Sequence, residues 1–160
     1  MSRMPRYWCG VVSREHIMIG VSGGFCQVGH GKRAPLARMA VGDGIVFYSP
    51  VLSLGSKEKV QRFTAIGRIS GESVYQVEML PSFKPYRRDV QYFKGREVDI
   101  HPLLQELEIT KGRSSWGYMF RMGHFALPEE DFFKIARAML PRSWSKAFPG
   151  KPHLEGARGS

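Results

Sequence analysis

Cysteine is scarce in this chain of 160 residues, with Cys9 and Cys26 the only two. They lack the Cys-x-x-Cys spacing of a zinc or redox site, and two cysteines cannot supply a disulfide framework. No apolar run approaches the roughly 18 residues that a membrane helix needs. No long apolar segment follows the charged residues 1–6, so we predict no signal peptide and no membrane partner. The composition therefore predicts a cytoplasmic protein that folds without a disulfide, a metal ion or a cofactor.

Acidic side chains are also in short supply. There are 14 Asp and Glu residues against 24 Lys and Arg, for a formal net charge of +10. The positive excess persists when both termini are left out. A basic folded body favours a polyanionic partner, because each neutralised phosphate releases condensed counterions. We therefore expect a nucleic-acid partner, RNA or DNA, although surplus lysine and arginine also serve solubility alone.

The remaining composition is that of a globular protein, with 42% hydrophobic and 12% aromatic residues. A chain of this length forms one ordinary domain and buries enough surface to fold unaided. We place the domain at 7–141. The preceding residues 1–6 are predicted to be a flexible N-terminus, and 142–160, rich in Gly, Pro and charge, a disordered basic tail.

Strand and helix signals alternate along the domain. A first strand is predicted at 7–12, followed by a short helix that Ser13 caps and that glycines end. A glycine-rich loop over 23–33 and a helical turn over 35–40 follow. Further strands are predicted at 44–50, 62–69, 74–79, 85–93 and 116–121, with helices over 101–108 and from Pro128 to Pro141. These elements predict an α+β domain with a curved, barrel-like sheet and several short flanking helices.

Several segments resemble the EVE domain family, in the family's order. They are Tyr7-Trp8-Cys9-Gly10-Val11-Val12-Ser13, Gly24-Phe25-Cys26-Gln27, Gly42-Asp43, Phe47-Tyr48-Ser49-Pro50, Pro85-Tyr86-Arg87-Arg88 and Trp116-Gly117. The resemblance covers nearly all of 7–140. It implies a PUA-like fold, related to YTH domains that read methylated adenine in RNA, and EVE domains are thought to bind modified bases.

Reading a single base requires an aromatic wall and hydrogen-bonding groups aimed at its polar edge. By the resemblance, the pocket lies between the end of the first strand, the Gly-Phe-Cys-Gln loop and the Tyr48 strand. Phe25 and Trp116 are the candidates for the stacking wall, with Gln27, Ser13 and Ser49 for the base edge. The base pocket is predicted to consist of Ser13, Phe25, Gln27, Tyr48, Ser49 and Trp116.

Four cations are the candidates for phosphate contacts: Lys32, Arg33, Arg87 and Arg88. Arg87 and Arg88 lie beside Tyr86 and Tyr92, and mixed basic and aromatic residues suit backbone contact and base stacking. Neighbouring residues of a strand point to opposite faces, so we expect at most one of these two arginines to face a ligand.

Enzyme motifs fit poorly. Gly31-Lys32 invites a phosphate-loop interpretation, but Cys26 and Arg33 occupy the positions of the motif's first glycine and of its Ser or Thr. Cys26 and His30 have no evident third group to orient a nucleophile and base. ASCH domains, similar in fold, place Thr and Glu shortly after a Gly-Lys pair, and neither follows here. We therefore expect a binding module with no catalytic residues. Two alternatives stay open: an RNA-binding protein without modified-base preference, and an ASCH-like hydrolase of modified nucleosides.

Overall fold

The fold is described by a computed structural model over residues 4–149. Its centre is a seven-stranded sheet in the order β2-β5-β4-β3-β1-β7, with β6 paired to β4. Strands β1 and β3 run parallel, and the other pairs are antiparallel. The strands are β1 Tyr7–Val11, β2 Phe25–Cys26, β3 Gly44–Val51, β4 Lys59–Gln76, β5 Tyr86–Tyr92, β6 Val98–Asp99 and β7 His124–Leu127. This architecture confirms the predicted α+β class.

Short helices flank the sheet on both faces. The α-helices are α1 Arg14–Gly23, α2 Arg33–Ala37, α3 Glu129–Met139 and α4 Trp144–Ala147. Three 3-10 helices cover Gly29–Gly31, His101–Leu103 and Trp116–Met122. No helix among residues 4–149 is long and apolar enough to cross a membrane.

Two core clusters lie on opposite faces of the sheet. Along β1 and β3, alternate residues join the first core cluster, which α3 covers, and the second, which α1 and α2 cover. Tyr7 and Tyr48 belong to the first, whereas Trp8 and Phe47 belong to the second. Successive side chains of a strand point to opposite faces, so a strand covered on both sides buries every residue. Phe47 and Phe63 are fully buried.

Two strand predictions need correction. The strands predicted at 62–69 and 74–79 form the single strand β4, whose pairing with β5 shifts in register between Ile69 and Val74. The predicted strand at 116–121 is wrong, because these residues form the 3-10 helix Trp116–Met122. Phe120 there packs on Tyr48, with ring centroids 4.3 Å apart. The last strand is β7, which follows directly and pairs with β1.

The predicted flexible ends are partly ordered. The backbone N–H of Arg6 donates to Asp43 at 3.0 Å, and its guanidinium donates to the carbonyl of Arg38 at 2.8 Å. At the other end, α4 packs Trp144 and Phe148 against the first core cluster. Both predictions are therefore wrong for these residues, because apolar and hydrogen-bonding contacts hold them. Residues 1–3 and 150–160 lie outside the described residues.

A buried histidine makes stability depend on pH. His124 in β7 stacks on Trp8 with ring centroids 5.0 Å apart, and its Nδ1 has no hydrogen-bond partner in the described part of the chain. Burial, together with the positive charge of Arg38, lowers the pKa of His124 from 6.5 to about 4. The unfolded chain therefore binds a proton first as the pH falls, and folding loses stability from about pH 6.5 down to about pH 4.

We expect the His124→Phe variant, which keeps a ring on Trp8, to remove this dependence. For the unmodified protein, the contribution of His124 to the free energy of unfolding falls by up to about 1.4 kcal/mol per pH unit within that window. Urea denaturation of both proteins between pH 4 and pH 7.5 measures the difference. Parallel curves for the two proteins would contradict the assignment.

Candidate nucleic-acid interface

The candidate interface lies at the sheet edge formed by β2 and β5. Phe25 pairs with Asp89 and Cys26 with Arg88, so Gln27 falls opposite Arg87. This antiparallel register turns Cys26 and Arg88 inward and leaves Phe25, Gln27 and Arg87 on the other face. The turn into β2 depends on Gly24, which has a left-handed φ of 74° and closes α1 with a bond from its N–H to the carbonyl of Gly20.

The N-terminus of α1 approaches the same edge. Ser13 caps this helix, and its Oγ accepts from the backbone N–H of His16 at 3.2 Å. His16 lies against the backbone of Gln27 and near Arg87. Burial, aided by the charge of Arg87, lowers the pKa of His16, so its imidazole is neutral at pH 7.

Three side chains form the centre of the interface, which we call the arginine stack: Phe25, Gln27 and Arg87. The guanidinium carbon of Arg87 lies 3.9 Å from the ring centroid of Phe25, and its Nε donates to Oε1 of Gln27 at 2.6 Å. The predicted aromatic wall is therefore covered by an arginine. A guanidinium in this position offers its own outer plane for stacking. Arg87 was predicted as a phosphate contact, and that role stays a prediction.

An open groove of about 760 Å³ runs from the arginine stack along α1. Met18, Ile19 and Leu52 give it apolar walls, and Arg14 lies at its side. Arg14 is engaged by Glu97, with Nη2 and Oε2 2.6 Å apart, and Arg62 lies 3.3 Å from the same carboxylate. Hydrogen bonding from Arg14 lowers the pKa of Glu97. The groove thus has apolar walls, and the ion pair with Glu97 fixes Arg14 at its side.

Two predicted pocket residues lie in the interior instead. Tyr48 is 2% exposed within the first core cluster, and Ser49 is fully buried, with Oγ 2.8 Å from Oγ1 of Thr64. Helices cover both faces of the sheet at β3. Side chains that alternate between the two faces are therefore buried on either side. Neither Tyr48 nor Ser49 contacts the arginine stack, and the prediction that they line the pocket is corrected on this ground.

Trp116 is also separated from the arginine stack. It packs against the first core cluster, with ring centroids 5.8 Å from His101 and 6.3 Å from Phe120. Phe25 instead lies on β2, beside strands whose inward residues form the second core cluster. The predicted wall of Phe25 and Trp116 is therefore not assembled.

Arg88 corrects the predicted phosphate set. It is 4% exposed, and its guanidinium donates to the backbone carbonyls of Leu36, Met39 and Gly71. Burial lowers the pKa of Arg88. The side chain ties α2 and β4 together, and its burial keeps it from a phosphate at the surface.

Lys32 and Arg33 are exposed at the start of α2. The turn before them approaches the start of β5, because a side-chain atom built on Gly31 would lie 2.6 Å from Cβ of Pro85. Both cations therefore lie beyond Gln27 on the same edge of the sheet. Their role in phosphate binding stays a prediction.

Sequence reasoning did not select His16, Arg14 or Leu52 as site residues. The position of His16 three residues after the Ser13 cap could have placed it beside the loop, because residues of the first helical turn surround the cap. Arg14 and Leu52 carry no comparable signal, since each reaches the groove through a tertiary contact.

A family model described as the EVE domain matches residues 6–138. A UPF0310 protein of Mesorhizobium japonicum is 48% identical over 147 residues, which cover 90% of this chain and 99% of that protein. The UPF0310 protein YdcG of Bacillus subtilis is 40% identical over 133 residues, covering 83% of this chain and 91% of the relative.

Solved structures resemble this fold at low sequence identity. A hypothetical protein from Leishmania major superposes with a TM-score of 0.55 at 12% identity, covering 84% of this chain and 94% of the other. The YTH domain of the Zygosaccharomyces rouxii MRB1 protein, solved in complex with N6-methyladenosine RNA, superposes with a TM-score of 0.52 at 17% identity, covering 86% and 90%. These likenesses establish the PUA-like fold alone, and they assign no ligand to this chain.

Proposed function

This chain belongs to the EVE domain family. From that premise we propose that it is a nucleic-acid-binding module that binds one modified base at the arginine stack. The observation that carries the proposal is the Arg87 guanidinium, held 3.9 Å above Phe25 beside the buried amide of Gln27. A planar cation fixed on an aromatic ring offers a flat surface to a base. The YTH domain bound to N6-methyladenosine RNA supports an RNA ligand for a fold of this type.

The charge around the stack suits a polyanion. Lys32 and Arg33 are exposed beyond Gln27, and Lys84 is exposed just before β5. Each such contact to a phosphate releases counterions, so binding weakens steeply as salt rises. We assign Lys32 and Arg33 to the flanking phosphates and leave base contact to Phe25, Gln27 and Arg87.

The groove next to the stack suits a base that carries an added apolar group. Met18 and Leu52 line it beside Phe25. Burying one methyl group contributes only about 0.8 kcal/mol, so discrimination by the methyl alone is several-fold. The groove therefore supports a modest preference for a modified base and does not select one modification.

We propose binding without catalysis. Burial raises the pKa of the Cys26 thiol to about 12, which leaves almost no thiolate at neutral pH to act as a nucleophile. Cys9 is likewise buried, and burial raises its pKa strongly. Turnover of N-acylated or modified nucleosides by the purified protein would contradict this proposal.

Fluorescence anisotropy with short oligonucleotides tests the function. The panel contains single- and double-stranded DNA and RNA, each with and without one methylated or hydroxymethylated base, at two salt concentrations. We expect salt-dependent binding with a several-fold preference for modified over unmodified strands. Equal binding across the panel would indicate a nucleic-acid-binding module without modified-base preference, and binding to none would overturn the proposal.

A further inference from the structure

The amide of Gln27 has a fixed orientation. Its side chain belongs to a residue that is only 5% exposed, and Nε of Arg87 donates to it at 2.6 Å. An arginine Nε–H can only donate, so the amide atom that faces it must be the oxygen. The NH2 group therefore points away from Arg87 and cannot exchange places with the oxygen without losing this bond.

The NH2 group of Gln27 is left open. Its Nε2 has no hydrogen-bond partner among residues 4–149. Among these residues, only Nδ1 of His124 is both buried and without a hydrogen-bond partner. Because Nε2 of Gln27 also lacks a partner, it must be in contact with solvent. A buried side chain thus presents one unpaired NH2 group, with two N–H donors, at the surface.

Arg87, which is bonded to Gln27, adds further donors beside this NH2 group. Among residues 4–149, Arg87 donates a hydrogen bond only through Nε, so the N–H groups of Nη1 and Nη2 are free to bind a ligand. The Oγ of Ser13 already accepts from His16, so its hydroxyl hydrogen is available. Two carboxylates lie nearby. Asp89 accepts from the hydroxyl of Tyr75 at 2.6 Å, and Glu15 lies exposed at the groove wall.

We propose that this donor set selects a base edge with two adjacent acceptors and no amino group, as guanine presents with O6 and N7. Gln27 is then the residue that determines base preference, while Arg87 stacks on the face of the base. Adenine places its N6 amino donor beside N7, where it meets the NH2 group of Gln27 as donor against donor. The inference rests on the proposed function and names the base class for the same site.

Binding to single-stranded oligonucleotides that differ in one central position tests the inference. The positions are guanine, adenine, 7-deazaguanine, cytosine and an abasic site, and the abasic strand measures binding to phosphates alone. We expect guanine to bind about tenfold more tightly than adenine, which is within the range for one good base-edge pair. Loss of N7 in 7-deazaguanine removes one acceptor and is expected to remove most of the preference.

The Gln27→Glu variant keeps an oxygen for Arg87 and replaces the free donor with an acceptor. We expect it to abolish the guanine-to-adenine ratio, with each affinity divided by that for the abasic strand to cancel the added charge. Gln91→Glu is the matched control, because Gln91 is exposed on β5, the strand that carries Arg87, and also accepts from an arginine, Arg68 at 3.4 Å. This control should keep the ratio. Circular dichroism verifies that both variants fold, and the 7-deazaguanine result decides the matter if Gln27→Glu does not.

The outcomes separate the two proposals. Binding in which adenine or cytosine equals or exceeds guanine overturns this inference and leaves the proposed function standing. A guanine preference that survives in a folded Gln27→Glu variant overturns the role of Gln27. If no strand binds, the proposed function itself fails.

Discussion

Replacing Arg88 by methionine is expected to lower the free energy of unfolding by about 3 kcal/mol or more, because buried carbonyls left unpaired cost about 1–3 kcal/mol each. The side chain donates to Leu36 and Met39, at the end of α2 and just after it, and to Gly71 in β4. Methionine fills similar volume and cannot donate. Urea denaturation followed by far-UV circular dichroism measures the change.

Arg87→Met is the control for this experiment, since it makes the same substitution one residue earlier on β5. Arg87 is half-buried and its described hydrogen bond is to Gln27, so we expect a loss of about 1 kcal/mol. Arg88→Lys should fall between the two variants, because an ammonium lacks the planar fork that reaches several carbonyls. Equal stability of Arg87→Met and Arg88→Met would refute the structural role of Arg88.

These two arginines illustrate how far the sequence predicts the site. Strand alternation predicted that Arg87 and Arg88 face opposite sides, and the structure agrees. Nothing local distinguishes which one turns inward. That choice depends on carbonyls 49 and 52 residues away in sequence, at Met39 and Leu36, which only the assembled fold brings to the guanidinium.

Other predictions also succeeded where the signal is local in sequence and failed where tertiary packing decides. The Ser13 cap and the left-handed Gly24 were predictable because both obey rules that act within one helical turn. Tyr48 and Ser49 were misplaced because a strand covered on both faces gives no exposed side for the pattern to reveal. The aromatic content of 116–122 favoured a strand, whereas packing of Phe120 on the core selects a 3-10 helix.

Removal of either member of the Phe25 and Arg87 pair should weaken binding to the preferred single strand by about 1–3 kcal/mol, the usual value for one stacked base. Phe25→Ala removes the support beneath the guanidinium, and Arg87→Ala removes the plane that meets the base. Because both act through one stack, the double variant should lose clearly less than the sum of the two. Anisotropy titrations on the same oligonucleotide measure all four proteins.

A second aromatic and arginine pair provides the control. Tyr118 is 68% exposed with Arg121 5.9 Å from its ring centroid, on the 3-10 helix of the opposite core. Tyr118→Ala should leave affinity unchanged if the Phe25 edge alone grips the base. Lys32→Ala should instead reduce the slope of log affinity against log salt by about 1, because it removes a phosphate contact. An unchanged affinity for a folded Phe25→Ala variant, or additive losses in the double variant, would remove the arginine stack from the site and leave a surface that holds nucleic acid by charge alone.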